Sequence, residues 1–251
     1  MLNNILKTIG MLFAMSKSPS KPVLINKPNT LAKGARQIKD VLYEQVARIG
    51  KAASSPKRLE LLELLCQGEM NVEQLAGEAQ ISIKLTSAHL SVLKAASLVT
   101  FRRDGKNIFY KLAAPDVARF WVDIRSLAEE RLLDLQAALG NLVAGSGDLA
   151  SLDRTKLLRD AESGVVVVID VRPEAEFFAG HLPFARSIPV AELKKRIAEI
   201  PKDKKIVAYC RGPFCLFASE AVTILQEAGH HAVRLDDGVA EWQAQGLALA
   251  R

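Results

Sequence analysis

The sequence predicts two folded parts of different class: an α+β part made of short capped helices and one β-hairpin, then an α/β part with a parallel sheet. Three observations carry this expectation. Two closely spaced helix starts, at Asn71 and Ser82, precede a stretch that alternates apolar and polar residues on both sides of Asp104-Gly105. The run Val165-Val-Val-Val-Ile-Asp-Val171 is almost wholly apolar and β-branched, the pattern of a strand buried on both faces of a parallel sheet. Between the two lies Gly140-Asn-Leu-Val-Ala-Gly-Ser-Gly-Asp148, whose glycines and serine read as a short flexible linker.

A chain of 251 residues is long enough for two cores. Three cysteines are too few for a disulfide framework, and no secretory signal is evident, so a reducing, cytoplasmic setting is expected. No apolar run approaches the length of a membrane span, and no membrane partner is expected. The charge is uneven: 20 Lys and Arg face 13 Asp and Glu up to Ser146, against 14 and 15 beyond it. The basic half is the one suited to nucleic acid.

Residues 1–35 are rich in Lys, Ser and Pro and read as a basic disordered extension, in preference to a membrane-surface helix. Residues 37–50 form a helix by the spacing of Ile38, Val41, Leu42, Val46 and Ile49. Ser55-Pro56 opens a second helix that ends at Gly68. Asn71 caps a third, residues 72–79, and Ser82 a fourth, residues 83–96, with helix-turn-helix spacing between them. The hairpin at residues 98–112 is then a wing. Pro115 starts a long helix to about Leu139. Its stripe of Val117, Phe120, Trp121, Ile124, Leu127, Leu132, Leu135 and Leu139 exceeds what this small part can cover, which implies a homodimer seam shared with the helix at 37–50.

These elements, with residues 52–65 and the run Ser87-Ala-His-Leu-Ser-Val-Leu-Lys-Ala-Ala-Ser-Leu-Val99, resemble the ArsR/SmtB family of winged-helix repressors. The resemblance implies a dimer on a palindromic operator in double-stranded DNA. On the fourth helix, Thr86, Leu90, Leu93 and Ala96 share one face with His89 at its edge. Lys84, Ser87, Ser91 and Lys94 share the other, a short polar and basic face suited to a major groove. Arg102, Arg103 and Lys106 sit at the wing tip, within reach of phosphates or a minor groove.

In the second part, residues 153–162 and 191–200 read as helices. A strand at residues 205–209 runs into Cys210-Arg-Gly-Pro-Phe-Cys-Leu216, followed by a helix to residue 228 and a strand at 231–235. A cysteine at a strand end, before a helix N-terminus, is placed for backbone N–H groups to favour its thiolate and make it a nucleophile. The loop resembles the active-site loop of rhodaneses, sulfurtransferases that carry a persulfide on one cysteine. Asp170-Val-Arg-Pro-Glu-Ala-Glu-Phe, Gly180-His-Leu-Pro-Phe-Ala-Arg-Ser-Ile-Pro189 and Asp237-Gly-Val-Ala-Glu-Trp242 extend the likeness over residues 150–251. The resemblance implies structural roles for Asp170, Arg172 and His181. Cysteine phosphatases share the cradle but need an arginine where this chain has Leu216, so the loop points to sulfane sulfur and away from phosphate.

The domain reading is therefore an extension at 1–35, a winged helix-turn-helix domain at 36–140, a linker at 141–150 and a rhodanese-like domain at 151–251. Cys210 is the candidate persulfide carrier, with Arg211 beside it. Cys215 either resolves that persulfide into a bridge or is a small loop-closing residue; both stay open. Metal-sensing relatives carry a Cys-x-Cys pair where this chain has Met70-Asn-Val-Glu-Gln-Leu75, so Cys66 reads as a plain buried cysteine. No metal is expected, and no cofactor beyond sulfur carried on Cys210. The sequence thus points to a repressor that responds to a small sulfur donor such as thiosulfate or polysulfide. The alternative is a sulfurtransferase that the winged helix merely localises. An inactive binding module is disfavoured by the presence of Cys210.

Overall fold

The computed structural model describes residues 30–143 and 153–251. They divide into two units, 1–45 and 46–251. The described part of the first unit is the leading portion of one helix, α1 (Thr30–Ala53), on which Ile38, Val41, Leu42 and Tyr43 are exposed. The helix begins ahead of the expected residue 37, so residues 30–35 are helix and not extension. Leu31, Ala32, Lys33 and Ala35 all favour helix, which the compositional reading underweighted. The rest of the expected extension lies outside the described residues.

The second unit holds both expected folds. α2 (Pro56–Cys66) starts where Ser55-Pro56 predicts, although the Ser55 side chain makes no capping bond. Asn71 and Gln74 form a reciprocal capping box on α3 (Val72–Glu78), and Ser82 caps α4 (Ile83–Ala95) through the Leu85 N–H. β2 (Val99–Asp104) and β3 (Asn107–Leu112) pair antiparallel around the predicted turn. An unexpected two-residue strand, β1 (Met70–Asn71), adds to β3. Leu61, Leu62, Leu75, Leu90, Leu93 and Val99 form the core beneath.

The long helix does not run unbroken. α5 (Pro115–Arg131) stops at Leu132, whose backbone is extended (φ −106°, ψ 105°), and α6 (Leu133–Val143) follows. The Gln136 amide donates to the carbonyls of Glu129 and Glu130 at 2.8 and 3.4 Å, satisfying groups the break leaves open. Residues 140–143, expected as linker, are the end of α6; 144–152, which hold the rest of the linker, lie outside the described residues.

α7 (Arg154–Glu162), capped by Asp153, leads into the fully buried β4 (Val166–Asp170). α8 (Glu174–Ala179), β5 (Arg186–Ser187), α9 (Val190–Arg196) and a 3-10 turn (Ile197–Glu199) come next. β6 (Lys205–Tyr209), α10 (Phe217–Glu227), β7 (Ala232–Arg234) and α11 (Val239–Ala244) complete the chain. The four strands form a parallel sheet in the order β5-β4-β6-β7. Crossover helices cover its faces, as the continuous apolar runs require. No described helix is long and apolar enough to cross a membrane.

Candidate functional site

The loop from Cys210 to Leu216 leaves the C-terminal end of β6 and enters α10. Its backbone lies on Gly238, where an added Cβ would stand 2.7 Å from the carbonyls of Cys210 and Arg211, so only glycine fits. From beneath, the buried Arg234 donates to the Ser219 hydroxyl and to the Pro213 carbonyl, each at 2.7 Å. At the end of β4, Asp170 and Arg172 form a fully buried pair, and the Tyr209 hydroxyl donates to Asp170 at 2.5 Å.

The winged-helix part packs directly on this loop. The Arg211 guanidinium holds Glu176 of α8 through Nε and Nη2, and holds Glu78, the last residue of α3, at 2.8 Å. The Arg172 Nη1 donates to Oε1 of Gln67, just past α2, at 2.9 Å. Arg125 of α5 meets Glu241 of α11 at 2.6 Å, both buried, and Glu241 also accepts the Gly238 N–H. Trp121 packs edge-on against Phe214 at 6.3 Å within a cluster that joins Cys66, Ala118 and Val122 to Ala240. Gly68 fits the seam because a Cβ there would stand 2.8 Å from that of Ala179. Part of the α5 stripe expected at a dimer seam is thus covered within the chain. Leu127, Leu132 and Leu133 stay exposed.

The two loop thiols lie in different surroundings. Cys210 is 1% exposed, and its Sγ lies 3.5 Å from the Cys215 carbonyl and 3.8 Å from that of Gly212. Burial pushes its thiol well up, the neighbouring Cys215 sulfur adds to this, and the N–H groups of Gly212 and Ala218 do not compensate. Cys215 is half-buried, and its thiol is lowered to about 6. The causes are the hydrogen bond from Cys210, the N–H groups of Arg211 and Phe217, and the Arg211 charge, against the penalty of burial. Burial thus disfavours the thiolate at Cys210, and the loop's N–H groups with Arg211 favour it at Cys215. Two N–H groups of the cradle act on each sulfur; the deeper burial of Cys210 and the Arg211 charge beside Cys215 set the two apart.

The predicted DNA face is assembled as expected in part. Lys84, Ser87, Ser91 and Lys94 are exposed on one side of α4, over a core side of Thr86, Leu90 and Leu93. The Ser91 hydroxyl donates to the Ser87 carbonyl, and the Lys94 ammonium lies 4.2 Å from the Phe101 ring. On the wing, Arg103 and Lys106 are exposed, whereas Arg102 is tied to Glu69 and Asp104 and stacks on Phe109. Ile83, Leu85 and Val92 add exposed apolar side chains to α4.

Residues 55–100 match the model of the bacterial regulatory protein, arsR family, and residues 153–245 that of the rhodanese-like domain. The HTH-type transcriptional regulator Rv0324 of Mycobacterium tuberculosis is 43% identical over 214 residues, which span 85% of this chain and 94% of that one. The chain belongs to the arsR family of bacterial regulatory proteins. The regulator carries a rhodanese-like domain behind its winged helix-turn-helix domain. That second domain is also similar to a sulfurtransferase of Allochromatium vinosum, 31% identical over 91 residues, 36% of this chain and 84% of that one. A solution structure of the homodimeric winged helix-turn-helix DNA-binding domain of Mb0332 from Mycobacterium bovis is 41% identical. It covers 38% of this chain and 87% of that one, with a TM-score of 0.36.

Several residues of the regulator's loop site carry no local signal. Glu63, Glu78 and Arg125 sit on ordinary helical patterns and Gln67 just past one, and they gain meaning only by packing beside the loop. Glu63 of α2 is the most unusual: its Oε1 is buried without a partner. Burial pushes its carboxyl up to about 7, although Arg125 and Arg211 pull the other way. Cys66 is buried at the end of α2, and desolvation drives its thiol up. Among the described residues no three His, Cys, Asp or Glu side chains converge to hold a metal ion.

Proposed function

We propose that the regulator is a dimeric DNA-binding repressor whose operator affinity responds to sulfane sulfur at the Cys210–Cys215 loop. The observation that carries this is the packing of the loop on the DNA-binding half. Arg211 holds the end of α3, the helix that precedes the turn into α4. Sulfur added to either thiol, or a bridge between them, changes the volume and charge beside Arg211. That change reaches α3, and through it the face of Lys84, Ser87, Ser91 and Lys94. Exposed apolar side chains at the α5–α6 junction supply a surface for a second copy. Two recognition helices on a two-fold axis then read a palindrome.

A gel-shift titration with and without polysulfide tests the proposal. Operator affinity should change at least several-fold in the wild type and stay constant in the double variant Cys210→Ser with Cys215→Ser; equal affinities throughout would sink it. The sulfurtransferase reading draws on the likeness to the Allochromatium vinosum protein. Turnover of thiosulfate with cyanide as acceptor, with DNA affinity unaffected, would favour it instead.

A further inference from the structure

The solvent side of α4 carries two strips, and only one of them is polar. At the helical repeat, Lys84, Ser87, Ser91 and Lys94 follow one strip, while Leu85, Ala88 and Val92 follow another beside it. All of these side chains are exposed, Leu85 by 44% and Val92 by 42%. The Lys94 ammonium over the Phe101 ring of β2 sets the polar strip on the side of the wing, so the apolar strip lies away from it. Thr86, Leu90 and Leu93 make the core contact of α4, and the described residues leave the apolar strip open. The helix is also short of groups that read bases by paired hydrogen bonds. Residues Ile83–Ala95 include no Arg, Asn, Gln, Asp or Glu. The Ser91 hydroxyl is turned back to the Ser87 carbonyl at 2.8 Å, and Lys94 lies against its ring. With no side-chain amide on α4, nothing there clasps adenine. The feature of an A·T pair that an apolar strip recognises is the thymine 5-methyl group.

Resting on the DNA-binding reading of α4 and not on the sulfur response, we propose that Leu85, Ala88 and Val92 form a thymine-methyl reader that selects A·T pairs in each operator half-site. Leu85 and Ala88 stand in the first two turns of α4, the part of a recognition helix that meets base edges. Val92 continues the strip by one turn. At the other end, Arg48 of α1 donates to the Ala95 carbonyl at 2.6 Å, so that end of α4 lies against α1 and the reader's end points away from it. From Leu85 to Val92 the strip is about 10 Å long and matches about three base pairs. Contact removes the methyl group and the side chains from water together. Cytosine in the same place lacks the methyl and presents an N4 donor that an apolar strip leaves unpaired. Lys84 and the wing cations Arg103 and Lys106 supply phosphate contacts, which set affinity without choosing sequence.

The test begins with the full-length protein selecting duplexes from a random-sequence pool. Each enriched half-site should hold at least one invariant thymine. Thymines of the best site are then replaced one at a time by deoxyuridine, which removes the methyl group and keeps the hydrogen-bonding edge. The protein is unaltered in this step, so the outcome does not depend on a variant folding. Gel-shift affinity should fall about fourfold at each contacted thymine, the value of one apolar carbon taken from water, and stay unchanged at the others. Leu85→Ala should bring the penalty at one contacted thymine below twofold. Lys84→Ala should weaken binding to the thymine and deoxyuridine duplexes alike. Deoxyuridine without effect at every invariant position, or the same penalties in Leu85→Ala as in the wild type, would overturn the methyl reader and leave DNA binding standing. Enriched sites whose invariant positions are all G·C would do the same, and would leave the strip to a protein partner. If no sequence is enriched over random DNA, the DNA-binding reading falls and the methyl reader with it.

Discussion

Glu63 illustrates how one side chain changes character when two halves of a chain close over it. On α2 it is an ordinary helical glutamate; beneath the loop it is desolvated, and its carboxyl moves from 4.5 to about 7. A raised carboxyl pKa favours the folded state fully below 4.5, and that contribution is lost as pH rises to 7. With the pull of Arg125 and Arg211 already included, the shift corresponds to about 3 kcal/mol. Glu63→Gln should therefore flatten the decline in stability between pH 5 and 8, gaining about 2 kcal/mol over the wild type at pH 8. Urea midpoints at the two pH values decide this; parallel declines in both proteins would show that Glu63 is ionised throughout. The thiols follow the same physics with opposite directions: burial raises Cys210, and the hydrogen bond from Cys210, two N–H groups and Arg211 lower Cys215.

At the scale of elements, the loop and the wing each make a checkable claim. The loop between β6 and α10 keeps its shape because Gly238 lets two carbonyls approach. Gly238→Ala should force them apart, costing about 1–3 kcal/mol by the usual scale of overpacking, and should raise the pH midpoint of Cys215 alkylation. An unchanged midpoint would show that the cradle does not depend on that approach. On the wing, Arg103 and Lys106 are exposed while Arg102 is held by Glu69 and Asp104. Replacing Arg103 and Lys106 together by Ala should weaken operator binding and lower the slope of log affinity against log salt by about 2, one for each phosphate left without its cation. Arg102→Ala should act mainly on wing stability. If the double variant kept the wild-type salt slope, the wing tip would lie off the DNA. The break at Leu132 is the element that composition hides, because Leu132-Leu133 is apolar and free of Gly and Pro; its sequence gives no reason for a stop.

At the scale of the whole second unit, three arginines tie the rhodanese-like domain to the winged helix: Arg125 to Glu241, Arg172 to Gln67 and Arg211 to Glu78. Two of these pairs are buried, and removing one partner of a buried charged pair costs several kcal/mol. The link through Gln67 is neutral on one side and lies outside a cavity of about 370 Å³ lined by Cys215, so it is the one to cut. Gln67→Ala leaves the Arg172 Nη1 without its partner. Sulfur loading should persist in this variant, while the sulfur-dependent change in operator affinity shrinks at least threefold. Gel shifts on protein of known sulfur content measure it. A full response in Gln67→Ala would mean that the signal passes by Arg211 and Glu78 without it.

The sequence by itself determined the kinds and order of the elements. Caps at Asn71 and Ser82, the turn at Asp104-Gly105 and the unbroken apolar runs at Val165–Ile169 and Ile206–Tyr209 encode local geometry through backbone hydrogen bonding and side-chain period, which need no distant partner. They also placed both loop cysteines and the polar face of α4. Only the tertiary structure decided how deeply each thiol is buried, what covers Trp121 and that Glu63, Gln67 and Glu78 lie beside the loop. Charge state and burial depend on every group within a few ångströms. Residues 63, 78, 125, 211 and 241 are brought within that range only when the two folds pack together.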